Sequence, residues 1–264
     1  WLIVDHYAID YRLERELSPL VRKTMIIDDL ADRSHACDLL LDQNFYLNQK
    51  RYKGLAPKAC RQLLGPQYAL LRKQFVEARK TLRERNNEIK HFLIYFGGVD
   101  AMNETEKALN AIFKLTNTNV TVDVIIGHAN PNYERLMQIC ESLPNIQCHM
   151  QIENMAEMIA KADLVIGAGG SNIWERCCLG TPSIILTVAY NQVESTEDLS
   201  QTGVVYYLGK STDVSTESFL AAIQSLRSKK EFYQQMVQKS LELVDGQGTN
   251  RILRVMKEEI RNRF

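Results

Sequence analysis

Residues 163–188 read DLVIGAGGSNIWERCCLGTPSIILTV. An apolar burst runs into Gly167, Gly169 and Gly170. A segment with helical character opens on Ser171-Asn172, both good N-cap types, and is closed by Gly180 and Pro182. A second apolar burst, SIILTV (183–188), follows. This is one strand–helix–strand unit, and the same beat recurs on either side of it. Upstream, HFLIYF (91–96), TVDVIIG (121–127) and NIQCHM (145–150) read as strands, and segments 103–115, 132–143 and 154–162 as amphipathic helices. Downstream, 194–203 reads as a helix and VVYYLG (204–209) as a strand. Short apolar strands alternating with helices predict an α/β fold, a parallel sheet covered on both faces. Such sheets take ligands at the carboxyl ends of their strands, which is where the glycine turns stand.

Residues 1–75 carry a weaker version of the pattern. WLIV, KTMIID and CDLLLD read as strands and AIDYRLERELS as a helix. That is about half of a doubly wound lobe, which runs to roughly 100 residues or more. A strand is already under way at Trp1, so further sequence is expected before it. The charged stretch 79–90, RKTLRERNNEIK, reads as a linker and its first half as a solvated helix end. The tail from 216 reads as helical, broken at DGQG (245–248). The expected domains are therefore 1–80, a partial N-terminal lobe; 88–246, a larger C-terminal lobe; and 247–264, a C-terminal helix.

Composition excludes several classes. Lys plus Arg and Asp plus Glu both number 32, with no dense basic stripe, which argues against a nucleic-acid partner. No apolar run approaches the ~20 residues of a membrane span, and no signal peptide is visible. The six cysteines show no CxxC or zinc-finger spacing. They read as buried reduced thiols, which places the chain in the cytoplasm. No metal-ligand set and no cofactor motif is visible. Asp28, Asp29, Asp32 and His35 read better as strand-end carboxylates capping a following helix than as a metal site.

GAGG at 167–170 is not a dinucleotide fingerprint, because GxGxxG would need glycine at Asn172, and no GK[ST] follows to make a P-loop. What remains is physical. Glycine lets a backbone approach a ligand closely, and free N–H groups at a helix start suit a diphosphate. Glu175 lies four residues after Ser171, one too many for a capping box. From the first turns of that helix its carboxylate can accept bonds from two ribose hydroxyls. The plainer alternative is a tight strand–helix turn with a solvated glutamate. FGGVD (96–100) is a second glycine turn at a strand end. Asn191 and Gln192 stand at a third, where amides suit sugar hydroxyls and acetamido groups, or simply form a surface loop. His6 and Tyr7 end the first strand.

Taken in order, IVDHYAID, IIDDLADRSHACDLLLDQN, GPQYALLRKQF, FGGVD, the 152–192 stretch and DGQGTNRI resemble the UDP-sugar hydrolases of pseudaminic-acid biosynthesis, the PseG family. These are UDP-2,4-diacetamido-2,4,6-trideoxy-β-L-altropyranose hydrolases, related to spore-coat SpsG proteins and to the peptidoglycan N-acetylglucosaminyltransferase. The resemblance implies a GT-B fold, two Rossmann-like lobes around a cleft, with an incomplete N-terminal lobe. It implies a UDP-sugar as substrate, held by the C-terminal lobe. Gly97 and Gly98 would approach the phosphates, with Gly169, Gly170, Ser171 and Asn172 at the diphosphate. Ile152, Asn154 and Met155 would border the uracil, Glu175 the ribose, Asn191 and Gln192 the sugar, and Tyr7 would line the sugar site from the other lobe. The implied reaction is water attack at the anomeric carbon with inversion. The family's catalytic histidine lies in a Gly-x-Gly-His loop that has no match here, and its place would precede Trp1. A transferase using UDP-GlcNAc and a non-catalytic nucleotide-sugar-binding module are the other readings.

Overall fold

The computed structural model describes residues 1–115, 119–150 and 152–261. The strands and helices in chain order are β1 (Leu2–Val4), α1 (Tyr11–Leu17), β2 (Thr24–Ile27), β3 (Leu39–Asp42), β4 (Arg61–Leu64), α2 (Lys73–Arg79), β5 (His91–Tyr95), α3 (Glu104–Phe113), β6 (Thr121–Ile126) and α4 (Tyr133–Glu141). They continue with β7 (Ile146–Met150), α5 (Met155–Lys161), β8 (Leu164–Ala168), α6 (Asn172–Cys178), β9 (Ser183–Thr187), α7 (Val193–Ser200), β10 (Tyr206–Lys210), α8 (Thr216–Ser228), α9 (Lys230–Leu243) and α10 (Gly248–Arg261). They form two compact units, one of residues 1–71 with 244–264, the other of residues 72–243.

The first unit is a four-stranded sheet in the order β1-β2-β3-β4, all parallel. Strand β4 was not evident in the sequence, because its first two residues, Arg61 and Gln62, are exposed and break the apolar pattern. Helix α10 belongs to this unit and is not a separate domain. Its Ile252 and Val255 pack on Met25, Leu39, Leu41 and Leu63, which bury the amphipathic face that its sequence presents.

The second unit is a six-stranded parallel sheet in the order β10-β9-β8-β5-β6-β7. Numbered from β5, this is the doubly wound order 3-2-1-4-5-6, built from two mononucleotide-binding halves. The chain winds outward from β5 to β7, then returns to the far side of β5 at β8. The central strands β8 and β9 are buried along their whole length, which is why they read as unbroken apolar runs. The main core lies on the face of Phe92, Ile94, Val122 and Val124, under Leu109, Phe219, Ile223 and Met236.

The charged stretch 79–90 is not a linker. The Arg85 guanidinium is buried and donates to the Ala162 carbonyl and to Thr181 Oγ1, the latter at 2.6 Å. Arg83 pairs with Asp163, whose other oxygen accepts from the amides of Lys90 and His91 at 2.9 and 2.8 Å. Arginine forks that find main-chain carbonyls can be buried, which a charge count does not foresee. The cysteines also differ from expectation. Cys140 at the end of α4 and Cys148 in β7 form a disulfide, while Cys37, Cys60, Cys177 and Cys178 are not disulfide-bonded. No helix among the described residues is long and apolar enough to cross a membrane.

Candidate functional site

The strand order of the second unit reverses between β5 and β8. The carboxyl ends of these two strands carry the turns at 96–102 and 169–172. Together with Val188 and Gln192 after β9, they line a cavity of about 470 Å³. A crevice at a strand-order reversal is where open α/β sheets hold ligands.

Each wall has a local cause. Gly170 has φ +105°, a conformation that a side chain disfavours, and this swings the chain from β8 into α6. Among the described residues no acceptor faces the backbone N–H groups of Gly170, Ser171 and Asn172. Ser171 makes no side-chain cap, so its hydroxyl does not compete for these amides. On the opposite wall, the Gly98 backbone is backed so closely by Gly127 that a Cβ there would lie 2.2 Å from the Gly98 carbonyl oxygen. Asp100 then accepts from the amides of Glu104 and Thr105 at 2.8 and 3.0 Å, anchoring the 96–102 turn to the start of α3. The Gln192 amide folds back, its Oε1 accepting from the Val188 amide at 3.1 Å, and lies over Gly169 and Gly170.

Of the residues singled out from the sequence, Gly97, Gly98, Gly169, Gly170, Ser171, Asn172 and Gln192 thus meet at one cavity. Asn191, half-buried beside Gln192, is not among its lining residues. The Glu175 carboxylate faces Arg72, whose Nη2 donates at 3.3 Å. Burial pushes its pKa up, against the pull of Arg72. Met155 is buried at the start of α5, Ile152 is half-buried, and Asn154 donates to Glu157 at 3.1 Å. Asn154 lines a different cavity, of about 540 Å³, beside Gln74 and Ala156.

Tyr7 stands in the first unit and is exposed. Partial desolvation, with the charge of and a hydrogen bond to Asp29, pushes its pKa up to about 12. No helix follows β2 for the nearby carboxylates to cap. Asp28 instead accepts from the Ala31 amide at 2.9 Å, pairs with Arg33 at 2.8 Å and takes the Tyr52 hydroxyl at 3.1 Å. Buried His35 hydrogen-bonds Glu14 at 2.8 Å and faces Asp28 at 3.8 Å. Burial pushes the imidazole down, but the Asp28 carboxylate beside it and the hydrogen bond with Glu14 outweigh this and raise its pKa to about 9. Asp28 feels burial in the opposite sense, and His35, the Ala31 amide and Arg33 bring it down to about 2. The DDxxDxxH spacing was the only trace of this cluster in the sequence. Glu14, in an ordinary charged helix, left none.

Comparison with known proteins bears on the fold and the family. A curated relative, the UDP-2,4-diacetamido-2,4,6-trideoxy-beta-L-altropyranose hydrolase of Campylobacter jejuni, is 27% identical over 76% of this chain and 71% of its own length. The spore coat polysaccharide biosynthesis protein SpsG of Bacillus subtilis is 25% identical over 74% of this chain, which spans 57% of that protein. Among solved structures, MurG of Acinetobacter baumannii superposes with a TM-score of 0.61 over 93% of this chain and 69% of its own, at 14% identity. The S. aureus MnaA–UDP co-structure does so with a TM-score of 0.62 over 98% and 75%, at 15% identity. These likenesses show a GT-B-type α/β fold. Residues 72–252 match the glycosyltransferase family 28 C-terminal domain, and the chain belongs to that family.

Proposed function

We propose that this chain binds a UDP-activated diacetamido-trideoxy-hexose and hydrolyses it to UDP and free sugar, as a step of pseudaminic-acid biosynthesis in the cytoplasm. Water attacks the anomeric carbon, the bond to the diphosphate oxygen breaks, and configuration inverts. The observation that supports this best is the cavity at the strand-order reversal, with three unpaired N–H groups on one wall and a glycine backbone on the other. Fixed backbone donors of this kind stabilise the negative charge that gathers on a departing diphosphate. In this reading Gly97, Gly98, Gly169, Gly170, Ser171 and Asn172 hold the phosphates, and Ile152, Asn154 and Met155 border the uracil. Glu175 turns from Arg72 to the ribose hydroxyls. Asn191 and Gln192 meet the sugar, with Tyr7 on the sugar side. No cofactor or metal takes part, and the base that activates water is not assigned to a residue of this chain.

A glycosyltransferase reading draws support from several N-acetylglucosamine transferases, such as that of Helicobacter acinonychis, 36% identical over 38% of this chain. One measurement separates the readings. Incubation with the UDP-sugar alone releases free sugar from a hydrolase, with the inverted anomer seen first by NMR. A transferase releases it only into an acceptor, and a binding module not at all. Calorimetry with UDP on the wild type and on Glu175→Ala tests the site itself. Loss of a charged hydrogen-bond partner costs about 1.5–3 kcal/mol, tenfold or more in affinity. A folded wild-type chain that does not bind UDP refutes the proposal.

A further inference from the structure

Beneath the 167–172 turn lies a buried positive charge. Arg176, in the second turn of α6, is 2% exposed. Its Nη2 donates to the Ala168 carbonyl at 2.7 Å and to Asn172 Oδ1 at 2.5 Å. Its Nη1 is buried without a partner, and a Cβ on Gly167 would lie 3.5 Å from it. Among the described residues no carboxylate forms an ion pair with it, and its neighbour Glu175 pairs with Arg72 instead. Burial lowers its pKa to about 10, so it stays charged at neutral pH.

An unpaired buried cation is costly, and a fold that keeps one has reason to receive an anion nearby. The guanidinium also dictates how Asn172 points. Arginine can only donate, so the Asn172 amide must turn its oxygen inward. Its Nδ2–H₂ is then the end left for the cavity, which Asn172 lines. A merely structural tie between Ala168 and Asn172 would need one neutral donor, not a full charge with a second nitrogen left unpaired.

We propose that Arg176 and Asn172 form the diphosphate-recognition element of this cavity, Arg176 acting as a positioning residue that supplies positive charge from below and locks Asn172 as a donor. This rests on the nucleotide-sugar reading above. The discriminating variant is Asn172→Asp. It offers Arg176 the carboxylate it lacks, four residues away on the same helix, yet turns negative charge toward the ligand. UDP affinity is measured by calorimetry and uridine affinity by ligand-observed NMR, on the wild type, Asn172→Asp, Arg176→Met and Arg176→Lys. Asn172→Asp is expected to melt no lower than the wild type and to lose UDP affinity by roughly tenfold or more. Uridine, which carries no phosphate, should shift less than about twofold on the same grounds. Arg176→Met should show the same split and Arg176→Lys should soften it. The inference is overturned if Asn172→Asp binds UDP as the wild type does, if UDP and uridine weaken together, or if this variant melts well below the wild type. A wild type that binds no UDP refutes the nucleotide reading itself, whereas unchanged variants of a UDP-binding wild type refute this inference alone. Should Arg176→Met fail to fold, Asn172→Asp still decides the matter.

Discussion

Raising the pH should loosen the first unit in a way that traces to one side chain. His35 sits between Glu14 and Asp28, with its side chain sealed from solvent, and its pKa is raised to about 9 against an ordinary 6.5. The folded state therefore binds the proton more tightly than the unfolded chain. Its contribution is fully present below about pH 6.5 and is lost as pH rises through about 9. A displacement of that size is worth on the order of 3 kcal/mol, of which about 2 kcal/mol disappears between pH 7 and pH 9. The same ion pair lowers Asp28, so the two shifts are one interaction and are counted once. Trp1 packs on the core of this unit, whereas Trp174 belongs to the other. In a Trp174→Phe background, urea unfolding followed by tryptophan fluorescence thus reports the first unit. The midpoint should fall steadily from pH 7 to pH 9, and a His35→Gln partner, already destabilised at pH 7, should lack most of that slope. A flat midpoint in the parent, or an equal slope in both proteins, would show that His35 is not held as the charged partner of Glu14 and Asp28.

Three further outcomes are expected. Gly127→Ala would place a Cβ 2.2 Å from the Gly98 carbonyl oxygen, so the 96–102 turn must shift. UDP affinity by calorimetry should drop about tenfold or more, as for a lost charge-assisted bond, and an unchanged value would detach that turn from the ligand. Gly170→Ala forces a side chain to φ +105° and brings a Cβ within 3.3 Å of Gln192 Nε2. It should cost roughly 1–2 kcal/mol in a chemical melt and weaken UDP, and a variant as stable as the parent would contradict the strained turn. Arg85→Met leaves the Ala162 carbonyl without its donor and removes the bond to Thr181. The second unit should lose about 1–3 kcal/mol by urea unfolding, and a loss within error would show the arginine to be solvated after all.

What could be read from the chain, and what could not, divides along a physical line. The alternation of β5 to β10 with α3 to α7 is local. The inner strands β5, β8 and β9 are apolar runs because both their faces are covered, and the glycine turns mark strand ends. The cavity follows from the same local signals, since Gly97-Gly98 and Gly169–Asn172 were already at two strand ends. What the sequence hid is set by partners far along the chain. Glu14 and His35 are 21 positions apart, and Arg85 reaches Thr181 across 96, so no spacing rule connects them. Cys140 and Cys148 come together because the chain reverses between α4 and β7, a fact of tertiary packing and not of cysteine count. Arg176 is the sharpest case. Beside Glu175 in a short helix it resembles any surface charge, and only its burial beneath Gly167 gives it meaning. The same criterion separates the two kinds of buried charge in this fold. His35 is held by two carboxylates, so it stabilises the unit that contains it and asks for nothing else. Arg176 has no such partner within its unit, so its compensation must come from what occupies the cavity above it. Ligand binding and local stability are therefore coupled at Arg176. UDP should then raise the melting temperature of the wild type by more than it raises that of Asn172→Asp, even at concentrations that saturate both.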